Sequence, residues 1–168
     1  SLTVGSSIGI TTTSTAGTQG GTIGYGAVGI GSGSLTLNPL TGFSTVLSGV
    51  SVGQVTLTAS TLGNGNYNPA ITSTAINVGI GSQSITMNAL PSVSVGTSIG
   101  ISTTRSVSSA LGGNLSYTLL SGGSGSATID VSSGTLTGTR VGSVIIQVMA
   151  LGNTNYYAAS SVTQTISI

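Results

Sequence analysis

The chain has almost no charged side chains. Among its 168 residues, two are basic (Arg105 and Arg140) and one is acidic (Asp130), and histidine, cysteine, tryptophan and lysine are absent. An ordinary soluble domain is about 25% charged, whereas this chain is 2% charged. A net charge near zero promotes association, so the composition points to a structural protein whose surface meets other molecules.

The missing residue types exclude most catalytic and metal-binding chemistry. Acid–base and nucleophilic catalysis use titratable side chains or a metal ion, and this chain has no imidazole, thiol or lysine amine. A lone Asp130 cannot form the carboxylate pair of a typical glycosidase, nor can it supply the several carboxylates of a calcium site. We therefore expect no enzyme activity, no metal and no cofactor.

Other partner classes are excluded in the same way. A net charge of +1 provides no basic surface for nucleic acid and no polybasic face for anionic lipid. No run of about 18 apolar residues is present, so we expect no membrane-spanning helix. The start of the sequence at Ser1 resembles mature protein without a signal peptide. The lack of cysteine excludes disulfides but leaves an exported location open.

The sequence repeats itself once. Residues 95–101 echo residues 4–10, and residues 152–156 echo residues 63–67. The period is roughly 90 residues, which corresponds to a whole small domain rather than to a solenoid repeat. The repeat predicts two domains, residues 1–81 and 82–168.

Each repeat has the pattern of short strands separated by turns. Apolar residues alternate with threonine over residues 55–59, and apolar residues fill the same positions over residues 144–148. Such a period of two is typical of half-buried strands, and glycine and asparagine clusters separate the runs. The pattern predicts an all-β chain with an antiparallel β-sandwich in each repeat.

The two repeats differ at their beginning. The second repeat opens with a good strand pattern over residues 83–91, whereas the first has no counterpart, because Ser1 aligns with Ser92. Two explanations stay open at this point. The chain is a window of a longer array, or the first strand is missing here and is supplied in trans by a neighbouring subunit through strand addition.

Three segments of the second repeat carry a family resemblance. They contain Gln-x-Ile-Thr, Leu-Pro and Val-x-Val-Gly (residues 83–96), Ala-Thr-Ile-Asp and Gly-Thr-Leu-Thr-Gly (127–138), and Gly-Asn-x-Asn-Tyr-x-x-Ala with Val-Thr-Gln-Thr (152–165). These segments resemble the bacterial immunoglobulin-like (Big/MBG-type) tandem repeats of exported surface proteins. The first repeat matches less well, since residues 38–40 replace the usual acidic turn.

The resemblance implies two tandem antiparallel immunoglobulin-like sandwiches in an extracellular or cell-surface protein. Our leading prediction is a structural, non-catalytic subunit of a bacterial filament, sheath or surface layer. A spacer or stalk of a cell-surface adhesin is the alternative, and a phage virion decoration or tail domain is less favoured. Members of the family typically carry more charge, and this departure favours a packed assembly. The predicted partners are further subunits, joined through strand edges and in one form by donor-strand addition, together with glycans.

Two asparagine–tyrosine turns are the clearest local motifs. We expect Asn66 with Tyr67, and Asn155 with Tyr156, to form the tight turn between the last two strands of each repeat. Each tyrosine would close the end of its sandwich, with its hydroxyl bonded to backbone. A ligand-binding loop is the alternative interpretation of the same residues.

Four side chains are candidates for subunit contacts. Ile145 and Met149 should point away from the core if the alternate residues of the same strand point inward, and two outward apolar residues on one strand are typical of a contact surface. Arg105 and Arg140 are candidates as the only basic side chains. Ordinary solvated surface positions are the alternative for all four.

Two further residues have local interpretations. Asp130 is expected to cap a turn by accepting hydrogen bonds from nearby backbone, with a salt bridge to Arg140 or to a neighbouring subunit as the alternative. Asn114 begins the triplet Asn-Leu-Ser, which fits a glycosylation acceptor sequence. We therefore count Asn114 as a candidate glycosylation site.

Overall fold

A computed structural model describes all residues of the chain, Ser1–Ile168. They form two compact units, Ser1–Gly81 (unit 1) and Ser82–Ile168 (unit 2). Both units are built from strands, apart from a short 3₁₀ helix at Gly17–Gly20. The structure holds no helix with the length and hydropathy needed to cross a membrane.

Unit 1 has seven strands in two sheets. The strands are Leu2–Thr3 (β1), Ser7–Thr11 (β2), Ile23–Ile30 (β3), Ser34–Asn38 (β4), Ser44–Ser51 (β5), Gly53–Thr61 (β6) and Ala70–Gly79 (β7). One sheet has the order β1-β7-β6-β3 and the other β2-β5-β4. Only the pairing of β1 with β7 is parallel. This is the immunoglobulin arrangement, in which the third, sixth and seventh strands form one sheet and the second, fourth and fifth strands belong to the other.

Unit 2 repeats this arrangement without a strand equivalent to β1 and with one additional pair of strands. Its strands are Ile85–Met87 (β8), Ser98–Gly100 (β9), Thr103–Arg105 (β10), Leu115–Leu120 (β11), Ser126–Ile129 (β12), Thr135–Arg140 (β13), Ser143–Ala150 (β14) and Val162–Ser167 (β15). The sheets β11-β14-β15 and β12-β13-β9 match those of unit 1, and β8 pairs with β10. The predicted fold class, all-β with tandem immunoglobulin-like sandwiches, is confirmed. The β8–β10 pair has no counterpart in unit 1.

The core of each unit lies between its sheets. In β14, Val144, Ile146, Val148 and Ala150 are buried, and the residues between them are half-buried. This is the alternation that a pleated strand imposes, because successive side chains point to opposite faces. Leu136 on the opposite sheet is also fully buried and belongs to the same hydrophobic cluster.

Candidate functional site

The two asparagine–tyrosine turns have the same backbone geometry. In unit 2, Oδ1 of Asn153 accepts hydrogen bonds from the N–H groups of Asn155 and Tyr156, both at 2.9 Å. In unit 1, Oδ1 of Asn64 accepts from Asn66 and Tyr67 at 2.9 and 3.1 Å. An asparagine side chain that bonds to backbone two residues further on is a common way to fix a turn. These bonds give the turns a structural explanation.

The tyrosines of these turns differ in burial. Tyr156 is 7% exposed, whereas Tyr67 is 39% exposed. The Tyr67 hydroxyl donates to Oε1 of Gln19 at 3.4 Å, so it meets a side chain and not the expected backbone acceptor. The end of unit 1 is therefore less closed than the corresponding end of unit 2.

The structure places Ile145 and Met149 on the outward face of β14, where both are half-buried. Ile145 lies opposite Leu120 and Met149 lies opposite Ser116 on the neighbouring strand β11. Their role in a subunit contact stays a prediction.

Both arginines bond to the backbone of their own unit. Arg105 is half-buried, and its Nη2 donates to the Gly113 carbonyl, so the alternative of a solvated side chain is wrong for this residue. Arg140 is exposed and donates to the Ser124 carbonyl at 2.8 Å. A subunit contact through either residue stays a prediction.

Asp130 caps its own turn. Its Oδ1 accepts from the N–H and hydroxyl of Ser132 at 2.9 and 2.7 Å, and from the N–H of Ser133 at 3.2 Å. The hydroxyl and backbone bonds from Ser132, followed by those from Ser133, hold the pKa of Asp130 well below its usual range, because they stabilise the charged form. The structure contains no ion pair between Asp130 and Arg140, so that alternative is wrong, and a salt bridge to a neighbouring subunit stays a prediction.

These bonds predict a simple pH dependence. The folded state stabilises the charged carboxylate of Asp130, so the unfolded chain takes up a proton at a higher pH than the folded chain does. Stability is therefore lost as the pH falls below the ordinary aspartate pKa of about 4. We expect chemical denaturation to give a level unfolding free energy from pH 5 to 8, because the chain has no histidine, and a decrease only below about pH 4. Asp130→Asn should remove most of that decrease.

A matched control removes one of the three donors and keeps the acid. Ser132→Ala deletes one hydroxyl donor and should reduce the acid-induced loss of stability without abolishing it. An equal loss in the parent protein and in Asp130→Asn would show that Asp130 is not the group responsible.

Asn114 is exposed and immediately precedes β11. Its own carbonyl accepts a hydrogen bond from the Leu151 N–H at 2.8 Å. Ser116, the third residue of the triplet, lies within β11 and is half-buried. Modification of Asn114 stays a prediction.

An open groove runs along unit 1. It consists of two adjoining cavities of about 240 and 260 Å³, and Thr12, Ala59 and Thr72 line both of them. The remaining lining residues lie in or next to β2, β3, β6 and β7, and none is charged. The groove therefore exposes inward-facing residues to solvent. In a complete sandwich, residues at such positions pack against a neighbouring strand.

The corresponding positions of unit 2 are closed. Ile101 and Val148 are buried, whereas the equivalent residues Ile10 and Ala59 are only half-buried. The sequence analysis did not identify the groove residues as a site. Two features of the sequence indicate the groove. The first repeat has no counterpart of residues 83–91, and Thr72 on β7 occupies a position where unit 2 has Val162.

The outer edge of β3 is the second open feature of unit 1. Residues 40–42 cover its beginning through backbone hydrogen bonds, but residues 26–30 pair only with β6. On this segment Val28 is 69% exposed and Ile30 is 53% exposed. Natural edge strands are usually protected by charge, proline or a bulge, and this segment has no charge, no proline and an uninterrupted register. The sequence predicted association through strand edges without locating this one.

Comparison with known proteins gives only remote similarity. No protein-family model and no curated protein matches the chain. Among solved structures, the chain is similar to a C-terminal 282-residue fragment of intimin, in complex with the intimin-binding domain of the translocated intimin receptor. The identity is 14% and the TM-score 0.33, over 95% of this chain and 56% of that fragment.

A second similar structure is human protocadherin-24 EC1-2. The identity is 16% and the TM-score 0.37, over 86% of this chain and 80% of that one. At such values neither similarity carries an argument about function, and the fold assignment rests on the strand pairing itself.

Proposed function

We propose that this chain is a structural, non-catalytic building block of an extracellular bacterial assembly such as a filament, sheath or surface layer. Its immunoglobulin-like units associate with further subunits through strand edges. The protein would lie at the cell surface and associate with further copies of itself. Attached glycans, at Asn114 for example, would be its further partners.

The observation that carries the proposal is the open edge of β3. An unpaired edge presents a row of backbone N–H and C=O groups to any strand that approaches. Val28 and Ile30 add exposed aliphatic surface on the same strand. Pairing with a second edge would satisfy the backbone groups and bring these side chains into contact with those of the neighbouring strand.

The composition supports the same conclusion. Repulsion between like charges keeps many proteins monomeric. This chain has a net charge of +1 and three charged side chains, so there is almost no charge repulsion between its copies. An edge of this kind on such a surface has nothing to oppose pairing with another copy.

Electron microscopy of the purified protein at neutral pH tests the proposal. We expect ordered filaments or sheets, and we expect Val28→Lys combined with Ile30→Lys to raise the concentration needed for assembly about tenfold or more. Lysine is a usual protecting residue of natural edge strands, and in a pair of copies the added lysines would lie close together, where like charges oppose pairing. A tenfold change corresponds to roughly 1.4 kcal/mol.

The matched control places two lysines away from the edge. Leu62, in the turn between β6 and β7, and Leu111, in the loop before β11, are both highly exposed, so Leu62→Lys combined with Leu111→Lys adds the same charge without touching β3. An equal effect of this double variant would attribute the result to net charge and contradict assembly through this edge. Dispersed particles at every concentration would contradict assembly altogether.

The tandem duplication favours a second candidate, the spacer or stalk of a cell-surface adhesin. Serial domains of one design lengthen a chain at the cell surface, and they need no contact between copies. A monomer that stays monomeric at high concentration in sedimentation velocity would favour the stalk over the assembly.

A further inference from the structure

The groove of unit 1 corresponds in position to an occupied place in unit 2. Residues 12–14 of unit 1 align with β10, and they belong to no strand. In unit 2, β10 pairs antiparallel with β8, so that Thr103 lies opposite Met87 and Arg105 lies opposite Ile85. Unit 1 therefore has no counterpart of β8, and the groove lies where that strand would run.

The contacts of β8 define what such a strand needs. Ile85 is buried in the hydrophobic cluster, and Met87 packs against that cluster. Nε2 of Gln83 donates to the carbonyls of Leu151 and Tyr157 at 2.7 and 2.9 Å. These three side chains alternate along the strand and face the sandwich, while the backbone pairs with β10. An uncharged extended segment with this alternation is what the position accepts.

Unit 1 offers the same partners to an incoming strand. Thr12 and Ala59 line an uncharged cavity beside residues 12–14, which belong to no strand. Thr72 on β7 is exposed at an inward-facing position. The carbonyls equivalent to those that bind Gln83 belong to Leu62 and Asn68, in a turn with the same asparagine-fixed geometry.

We propose that the groove binds one extended, uncharged strand of the β8 type, which runs antiparallel to residues 12–14 and becomes the eighth strand of unit 1. The occupant that the geometry favours is such a strand joined to Ser1 through a short link, as β8 is joined to Val93 in unit 2. The proposal is independent of assembly through β3, because a strand from the same polypeptide fills the groove without a second copy.

The stoichiometry of the chain supports this source. Each chain has two positions for a strand of the β8 type, one in each unit, but only one such strand. An exchange of β8 between copies would therefore fill the position in unit 1 only by emptying the position in unit 2. In unit 2, residues 88–92 lead from β8 to Val93, whose N–H donates to the Ser167 carbonyl at 3.0 Å. Leu2 in β1 pairs with the last strand of unit 1 in the corresponding way. A link of the same length therefore reaches the groove from Ser1.

The test adds the strand to the full chain. The segment Ser-Gln-Ser-Ile-Thr-Met-Asn-Ala-Leu-Pro, identical to residues 82–91, is placed directly before Ser1. Hydrogen exchange of the amides of residues 12–15 is then compared with that of the parent chain, and the mass is measured by sedimentation velocity. We expect exchange to slow by about tenfold or more in a monomeric protein.

Two variants make the result specific. The first carries aspartate in the extension at the position equivalent to Ile85, which cannot enter an apolar cavity without a partner. The second carries Thr72→Arg in the extended chain, and because Thr72 is exposed, unit 1 should still fold. Both should restore fast exchange at residues 12–15 while exchange in unit 2 stays unchanged.

Each result decides the proposal. Slowed exchange in the monomer, lost in both variants, supports it. Unchanged exchange in the extended chain, or equal slowing with the aspartate extension, overturns it. Slowing that occurs only in dimers or larger species overturns delivery within the chain and assigns the groove to a strand from another copy.

Discussion

Ile85→Ala is expected to lower the unfolding free energy of unit 2 by about 2–5 kcal/mol, the usual cost of truncating a buried isoleucine. The side chain is buried among residues of both sheets. The strand β8 has three residues and pairs only with β10, so the loss of this anchor also weakens the bonds of Gln83. Urea denaturation, monitored by the hydrogen exchange of the amides in each unit, measures the stability of the two units separately.

The matched control is Ile71→Ala in unit 1, where the same side chain is largely exposed. It should change stability by no more than about 0.5 kcal/mol. A second readout follows from the equivalence of the two units: with β8 loosened, amide exchange in β10 should approach the rate of residues 12–15. An effect of Ile85→Ala as small as that of Ile71→Ala would show that β8 contributes little, and it would remove the basis for the proposed occupant of the groove.

The faces of the strands could be predicted from the sequence. The alternation over residues 144–148 specifies which side chains point inward, because the period of a strand is fixed by backbone geometry. The capping role of Asp130 was also accessible, since its donors lie two and three residues further along the chain. Both inferences depend on residues close together in sequence.

The open features of unit 1 could be predicted only in part. The missing counterpart of β8 is visible in the alignment of the two repeats, but the groove is lined from β2, β3, β6 and β7, and its shape depends on how these distant segments meet. Tyr67 and Tyr156 occupy equivalent positions in nearly equal motifs, yet they differ in burial. The inward bond of Arg105 to Gly113 likewise depends on a loop whose path the sequence pattern does not specify.

Gly134→Ala is the second substitution with a large expected effect. Gly134 has a φ of 69°, where any residue with a Cβ is strained by about 1–2 kcal/mol. A Cβ at this position would lie 2.5–2.9 Å from ring atoms of Tyr117, and Tyr117 is buried in the core. Because the ring cannot move aside without disturbing that core, overpacking adds about 1–3 kcal/mol. Thermal and urea unfolding should therefore show unit 2 destabilised by about 2–5 kcal/mol in total.

Gly96→Ala separates the two contributions. Gly96 also lies in unit 2 with a positive φ of 80°, but a Cβ there would meet nothing within 4 Å, so only the backbone strain of about 1–2 kcal/mol remains. Tyr117→Leu combined with Gly134→Ala should recover part of the loss relative to the sum of the single variants, because the smaller side chain vacates the space of the ring. If Gly134→Ala costs no more than Gly96→Ala, the Tyr117 ring has room to shift, and the core around Tyr117 is less tightly packed than its burial implies.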